Sequence, residues 1–193
     1  MKIGIDYGSK LAGTTVIAYR EEGKIHLVKS VKNKDADLMI LEFVKENNVS
    51  VVGIDAPLSL PGVYSQLIGY NDYHYRACDK ALKAMSPMFL GGLTARAMKL
   101  RSALVANDIE VFETYPVKAG NSLFTEDEGY RSKTPDYESM LDTLSKMGIT
   151  LAKDSKLESG HDLDAILALD IVDRINKGDA SVAGDSKEGV IYY

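Results

Sequence analysis

Apolar and polar positions in the first 30 residues follow the pattern of short β-strands. The segments KIGIDY, TTVIAYR and IHLVKSV are rich in β-branched and apolar residues, and each connection between them contains glycine. Short glycine-containing connections are typical of antiparallel neighbours. The chain is therefore predicted to open with a three-stranded antiparallel meander.

The segments that follow alternate between helical and strand patterns. Leu38, Leu41 and Val44 have helical spacing, and VSVVGID is a continuous apolar run typical of a strand covered on both faces. A helical pattern, the strand IEVFETYP and a closing helical region, which holds two helical patterns, complete the order β-β-β-α-β-α-β-α. This order predicts an α/β domain spanning 1–193, with a mixed five-stranded sheet and helices on both faces. It is the element order of the RNase H-like fold.

Two stretches interrupt this order. Residues 57–92 follow the fourth strand, contain two early prolines and show a local helical pattern only around CDKALKAM. The segment VKAGNSLFTEDEGYRSK follows the fifth strand and has no periodicity. We interpret both as insertions, and we interpret the final GVIYY as a terminal strand or tail.

Composition favours a cytoplasmic protein that does not enter a membrane. Among 193 residues, 45% are hydrophobic and 26% are charged, which is close to the average of globular proteins. No apolar run approaches the roughly 20 residues of a membrane helix, and the N-terminus has no signal-peptide pattern. The single cysteine excludes an internal disulfide, as expected in a reducing compartment.

Basic residues cluster in one stretch of a chain whose net charge is −5. The cluster consists of Arg76, Lys80, Lys83, Arg96, Lys99 and Arg101. Such a stripe can contact the phosphates of a nucleic acid. Equally, these side chains can be the solvated faces of two helices, and the sequence leaves both interpretations open. For Arg76 itself, a salt bridge with Asp79 that orders the insertion is an alternative that we favour over a phosphate contact.

Acidic residues end the three strands that are predicted to run parallel. These residues are Asp6, Asp55 and Glu113. Ligands gather at the carboxyl ends of parallel strands, and neighbouring strands lie about 4.8 Å apart. Asp6 and Asp55 can therefore share one cation, although either residue taken alone is as often a simple turn residue.

The last predicted helix contributes a fourth acid. Asp164 lies three residues after His161 and shares a largely apolar face with Ala168 and Ile171, which suits a ligand better than a solvated charge. His161 is expected to cap or support the site. Asp162 lies off this face, and the helix dipole explains an acid in the first turn.

The chemistry of this set favours a hard cation. Its members offer carboxylate oxygens without cysteine, a combination that suits Mg²⁺ or Mn²⁺ better than zinc. A pair of such ions can activate water and stabilise the leaving oxygen at phosphorus. We therefore expect two ions held by Asp6, Asp55 and Asp164, with Glu113 at the edge.

Several motifs resemble known nuclease families. The segment GIDYGSKLAGTTVIAY resembles the first hairpin of RuvC-type and YqgF-type nucleases, and HDLDAILAL resembles the start of their last helix. The motifs GIDAPLSLP, RACD, FETYP and HDLDA resemble an uncharacterised domain-of-unknown-function family of predicted nucleases with an RNase H fold. Together these motifs cover nearly the whole chain.

This resemblance implies a metal-dependent nuclease acting on DNA or RNA. It implies that Asp6, Asp55 and Asp164 bind metal, although Asp55 is shorter than the glutamate usual in RuvC, and Glu113 matches only the narrower family. One alternative is a single nucleotide-binding lobe of the actin and sugar-kinase type, which would need a homodimer. Another is a non-catalytic binding or assembly module.

Overall fold

The computed structural model describes residues 1–193, which form seven strands and seven helices. The strands are β1 (Lys2–Asp6), β2 (Val16–Glu21), β3 (Lys24–Lys29), β4 (Val51–Asp55), β5 (Glu110–Glu113), β6 (Val182–Asp185) and β7 (Gly189–Tyr192). The helices are α1 (Ala36–Glu46), α2 (Ala77–Leu82), α3 (Pro87–Leu90), α4 (Gly92–Val105), α5 (Pro116–Leu123), α6 (Tyr137–Lys146) and α7 (Gly160–Lys177). One 3₁₀ turn spans Gly62–Ser65.

Five of the strands form one mixed sheet in the order β3-β2-β1-β4-β5. The β1–β2 and β2–β3 pairs are antiparallel, whereas the β1–β4 and β4–β5 pairs are parallel. The predicted α/β class and the mixed five-stranded sheet are confirmed. The strands β6 and β7 form a separate antiparallel hairpin, of which the sequence had indicated only the final segment.

Alternating residues of the sheet divide the core between its two faces. Ile5 packs on one face in a cluster with Ile40 of α1 and Leu104 of α4. Ala18 packs on the other face in a cluster that contains Leu163 of α7 and residues of α6. Because both faces are covered by helices, the polar groups that remain in the interior must find partners there.

Two glycines let α7 lie very close to the centre of the sheet. A Cβ added to Gly4 in β1 would lie 2.1 Å from the backbone nitrogen of Leu169, and one added to Gly53 in β4 would lie 2.5 Å from Cγ2 of Val172. A side chain at Gly4 would therefore force the helix backbone away, and one at Gly53 would collide with the side chain of Val172. The two glycines precede Asp6 and Asp55 by two residues, so they set the depth of α7 beside those acids.

The two predicted insertions are more ordered than the sequence pattern indicated. The stretch 57–92 contains the 3₁₀ turn, α2 and α3, and the helix expected around CDKALKAM is α2. The expectation of irregular structure after β5 is wrong for residues 116–123, which form α5. This helix begins at Pro116, a residue that favours the first helical position because it has no N–H to leave unpaired.

The C-terminal hairpin ties the first insertion to the rest of the molecule. Glu188, in the turn of the hairpin, accepts hydrogen bonds from the backbone N–H groups of Gly62 at 2.8 Å and Ala77 at 2.7 Å. Tyr70 donates to Asp185 of β6. The hairpin therefore holds the insertion at three points between Gly62 and Ala77. None of the seven helices has the length and apolar character needed to cross a membrane.

Candidate metal centre

The carboxyl ends of β1 and β4 bring two aspartates side by side. Asp6 and Asp55 are direct partners in the parallel register of these strands. Asp6 is buried and Asp55 is half-buried. The position of a residue in the strand fixes the face on which its side chain lies, so both carboxylates lie on the side covered by α7.

The start of α7 places the third aspartate above this pair. Ser159 accepts a hydrogen bond from the backbone N–H of Asp162, and the Asp162 carboxylate accepts one from the backbone N–H of Ser159, so the two residues form a capping box. Asp164 lies two residues after Asp162 in α7 and is buried. One oxygen from each of Asp6, Asp55 and Asp164 lies within 4.8 Å of the others. We call these three residues the acidic triad.

Burial raises the pKa of every member of the triad, and repulsion by other members adds to the increase at Asp55 and Asp164. For Asp55, loss of solvent is the main cause of a pKa well above the usual value, and the charges of Asp164 and Asp6 add to it. Burial likewise raises the pKa of Asp6 and of Asp164, although neighbouring donors oppose the increase. The triad therefore has more negative charge than its surroundings neutralise.

Two of the three carboxylates have donors within the protein. Nδ1 of His161 lies 2.9 Å from Oδ2 of Asp6, and this hydrogen bond is the main cause of a raised His161 pKa. Tyr130 donates to Oδ1 of Asp164 at 2.6 Å, and Arg131 donates to Oδ2 at 2.6 Å. The carboxylate of Asp55 interacts with its neighbours only through charge.

The carboxylate oxygens of the triad suit a hard cation as ligands. Several of them lie in a small volume, and Asp55 lies beside Asp6 without a hydrogen-bond donor of its own. Oxygen ligands of this kind suit Mg²⁺ or Mn²⁺. The assignment of the triad as metal ligands stays a prediction that this geometry favours.

Glu113 is not a member of the triad. In the β4–β5 register it is paired with Ile54 rather than with Asp55. Its two carboxylate oxygens accept from Arg76 at 2.6 and 2.7 Å, and the backbone N–H of Leu58 donates to it at 2.8 Å. Glu113 lines the same cavity as the triad, but its oxygens are already engaged by these donors.

Arg76 is buried, and its expected place in an exposed basic stripe is wrong. Its side chain is 0% exposed and forms ion pairs with Asp79 at 2.7 Å and Glu113 at 2.6 Å. It also donates to Ser59. The alternative interpretation of Arg76 and Asp79 as a structural pair matches this geometry. We call Arg76, Asp79 and Glu113 the arginine hub.

The other basic residues of the predicted stripe do not form one surface. Lys83 lines the cavity beside the triad. Arg96 donates to Asp37 at 2.7 Å, and its guanidinium lies 4.8 Å from the centre of the Tyr7 ring. Three residues are exposed on other parts of the surface, namely Lys80, Lys99 and Arg101. Only the exposed residues and Lys83 retain their assignment as candidate nucleic-acid contacts.

The remaining predicted residues, His161 and Asp162, have distinct positions. His161 is half-exposed beside Asp6, as expected for a supporting residue. Asp162 is fully buried at the start of α7, where it also binds Lys29 at 2.9 Å. The helix-start interpretation of Asp162 is therefore confirmed, and its carboxylate does not join the triad.

Sequence reasoning missed Tyr130 and Arg131. Both belong to the irregular stretch between α5 and α6, where no periodicity indicates which side chains turn inward. Arg131 has a left-handed backbone conformation with φ of 61°. The one available signal was the pairing of an aromatic with a basic residue in GYRSK, between two predicted structural elements.

No protein-family model matches the sequence, and a search of curated proteins finds no match.

Proposed function

We propose that the protein is a metal-dependent nuclease with an RNase H-like fold, which hydrolyses phosphodiester bonds of DNA or RNA. The observation that carries this proposal is the acidic triad, whose oxygens converge within 4.8 Å at the carboxyl ends of two parallel strands. The strand order β3-β2-β1-β4-β5 supports the RNase H-like interpretation, and so does the long helix packed over β1. The motif resemblance to the uncharacterised family of predicted nucleases supports the same reaction.

The proposed roles of the side chains follow from their contacts. Asp6, Asp55 and Asp164 would hold one or two Mg²⁺ or Mn²⁺ ions through their oxygens. When bound, these ions would supply Lewis-acid chemistry, increasing the acidity of a water molecule and neutralising charge on the phosphate. His161 holds Asp6 through Nδ1, which leaves its other ring nitrogen free to carry a proton.

The proposed reaction is hydrolysis, and its only reactants are water and the phosphodiester. The oxygen of water bonds to phosphorus, the bond to one ester oxygen breaks, and the water proton passes to solvent or to a nearby base. The leaving oxygen takes up a proton, which the half-exposed His161 beside Asp6 can supply. Arg131 adds a fixed positive charge beside Asp164, where a phosphate would approach.

One observation favours a second candidate, a non-catalytic module in which the triad is structural. Asp6 and Asp164 already have donors in His161, Tyr130 and Arg131. Buried acids with such donors can stabilise a fold without binding metal. This candidate gives no role to Asp55, which has no donor, and we therefore place it second.

Substitution of Asp6 by asparagine tests the proposal. The amide has nearly the same shape, so Asp6→Asn should keep the fold while removing a charged ligand, and Mn²⁺-dependent hydrolysis should fall by at least about 100-fold. Purified protein would be assayed on single-stranded, duplex and branched DNA and RNA. Asp142→Asn, which removes the same charge from an exposed position in α6, is the matched control.

Equal activity of wild type and Asp6→Asn would contradict a nuclease function of the triad, since any shared activity would come from a contaminant. Circular dichroism and thermal unfolding would show that both variants are folded. Mn²⁺ should increase the midpoint of thermal unfolding of wild type and of Asp142→Asn, because a ligand that binds only the folded state stabilises it.

A further inference from the structure

A cavity of about 520 Å³ adjoins the acidic triad and is lined by both charged and apolar side chains. Asp6 and Asp55 are among the charged residues. The first insertion and the start of α4 supply Met85, Leu90 and Leu93, which we call the apolar wall. Cavities that bind small molecules are usually about 300–1,000 Å³ and combine apolar surface with a few polar groups. The volume is therefore large enough for one nucleotide. The lining offers charged groups for its phosphate and apolar groups for its base.

The apolar wall is exposed to a degree that packing does not explain. Met85 is 61% exposed although it lies beside a group of buried charges. Leu90 and Leu93 are half-exposed in the same wall. Exposed apolar surface beside a polar site is typical of a surface that is covered when a ligand binds. An apolar, flat group such as a nucleobase fits that description.

Positively charged groups that line the same cavity suit a phosphate. Lys83 follows α2, is exposed, and lines the cavity. Arg131 lines it as well. Thr114 is 1% exposed, and its hydroxyl oxygen has no hydrogen-bond partner in the protein. Its hydroxyl is covered by the protein, so Lys83 and Arg131 are the groups in this set that a phosphate can reach.

We propose that this cavity binds an unpaired nucleotide, with its base against Met85, Leu90 and Leu93 and its phosphate at the triad. The substrate class of the proposed nuclease is then single-stranded nucleic acid or an unpaired end. Bases inside a duplex are stacked and paired, so they cannot contact the apolar wall unless they leave the helix. This inference rests on the proposed function for the position of the phosphate.

The distribution of charge points to the same substrate. A protein that binds a long duplex needs a continuous basic surface along the phosphates. Here Arg76 is buried, Arg96 is paired with Asp37, and the net charge of the chain is −5. Recognition of one nucleotide needs only the few cations that line the cavity.

Binding of oligonucleotides with and without bases tests this inference. The protein would carry Asp6→Asn to prevent cleavage, and binding would be followed by fluorescence anisotropy in Mn²⁺. An oligothymidylate of about eight nucleotides should bind about tenfold more tightly than an abasic strand of the same length and charge, because a base buries the apolar surface of Met85, Leu90 and Leu93 when it binds. It should also bind more tightly than a duplex of equal length. Ribonucleotide strands would be tested in parallel, and base dependence in either series supports the inference.

Two substitutions locate the base. Met85→Gln and Leu90→Gln, combined, should reduce the preference for bases to about twofold or less, with little effect on the abasic strand. The matched control is Met147→Gln, which changes a methionine that is 48% exposed and lies outside the cavity. Its preference for bases should equal that of the parent protein.

Three outcomes would overturn the inference: equal binding of the abasic and thymidylate strands, tighter binding of the duplex, or no binding of any strand. Failure of the proposed function is a separate result, because it is measured as absence of Mn²⁺-dependent hydrolysis by the protein with an intact triad. A base-dependent interaction without hydrolysis would keep the nucleotide site and remove the nuclease.

Discussion

The arginine hub and the acidic triad lie at the ends of neighbouring strands and differ in how their negative charge is neutralised. In the hub, Arg76 lies between Asp79 and Glu113 and donates hydrogen bonds to both carboxylates. In the triad, three carboxylates share one half-exposed arginine and one histidine. The hub is a closed network of partners, whereas the triad retains an excess of negative charge.

This difference separates a structural group of acids from a binding site. Burial of a carboxylate is tolerated when each oxygen has a donor, and it is costly otherwise. The hub meets this condition and joins the first insertion to β5. The triad does not meet it at Asp55, so the fold keeps a group there that a cation would stabilise. Local conflict of this kind is expected at functional sites.

The largest effect is expected from opening the hub. Arg76→Met keeps most of the side-chain volume but leaves Asp79 and Glu113 buried without their cation. Breaking a buried ion pair in this way typically costs about 3–5 kcal/mol. The free energy of unfolding, measured with urea, should fall by that amount.

Lys80→Met is the matched control for the hub. It removes a cation from an exposed ion pair with Asp72, which solvent and salt screen, and should leave the urea midpoint nearly unchanged. If Arg76→Met were as stable as Lys80→Met, the hub would not be the closed network that its hydrogen bonds indicate, and the contrast with the triad would be lost.

A smaller effect of opposite sign is expected in the triad. Asp55→Asn removes a charge that has no donor and is repelled by Asp6 and Asp164. Without metal, the midpoint of thermal unfolding at pH 7.5 should therefore increase by a few degrees, since about 1 kcal/mol corresponds to roughly 2–4 °C in a chain of this size. With Mn²⁺ the order should reverse, because only wild type keeps all three ligands.

The pH dependence of this difference has a definite sign. The pKa of Asp55 is raised in the folded state, so its protonation favours folding, and this contribution is lost as pH rises through the folded pKa. The advantage of Asp55→Asn over wild type should thus be greatest above the folded pKa and should vanish below about pH 3, where the unfolded aspartate is also protonated. A lower midpoint for Asp55→Asn at pH 7.5 without metal would contradict the excess charge.

The three aspartates of the triad could be predicted from local sequence patterns. Asp6 and Asp55 end apolar strands, and Asp164 lies on the apolar side of a long helix. Gly4 and Gly53 precede the strand acids by two residues, and their lack of side chains allows α7 to approach. Strand parity and helical spacing contain this information. The sheet order followed from the same patterns, since short turns and crossover helices leave few topologies.

The partners of the acids were not predictable, because they depend on long-range contacts. Arg131 is 33 residues from Asp164 in the chain, and Arg76 is 37 residues from Glu113. A charge pattern along the sequence shows how many basic residues a segment has, but not which of them are buried. The ion pair of Arg76 with Glu113 and the inward position of Arg131 therefore do not follow from the sequence.

The smallest effect is expected from Arg131, and it shows how far the protein itself neutralises the triad. Arg131 and a cation both interact with Asp164, so Arg131→Gln should tighten Mn²⁺ binding in isothermal titration. Because the arginine side chain is 48% exposed, solvent limits its effect to about 1 kcal/mol, or roughly fivefold in affinity. Arg174→Gln, which breaks an ion pair elsewhere in α7, should leave Mn²⁺ affinity unchanged. Weaker Mn²⁺ binding by Arg131→Gln than by Arg174→Gln would mean that Arg131 orients Asp164 for the ion instead of competing with it, and the triad would then resemble the hub in depending on its arginine.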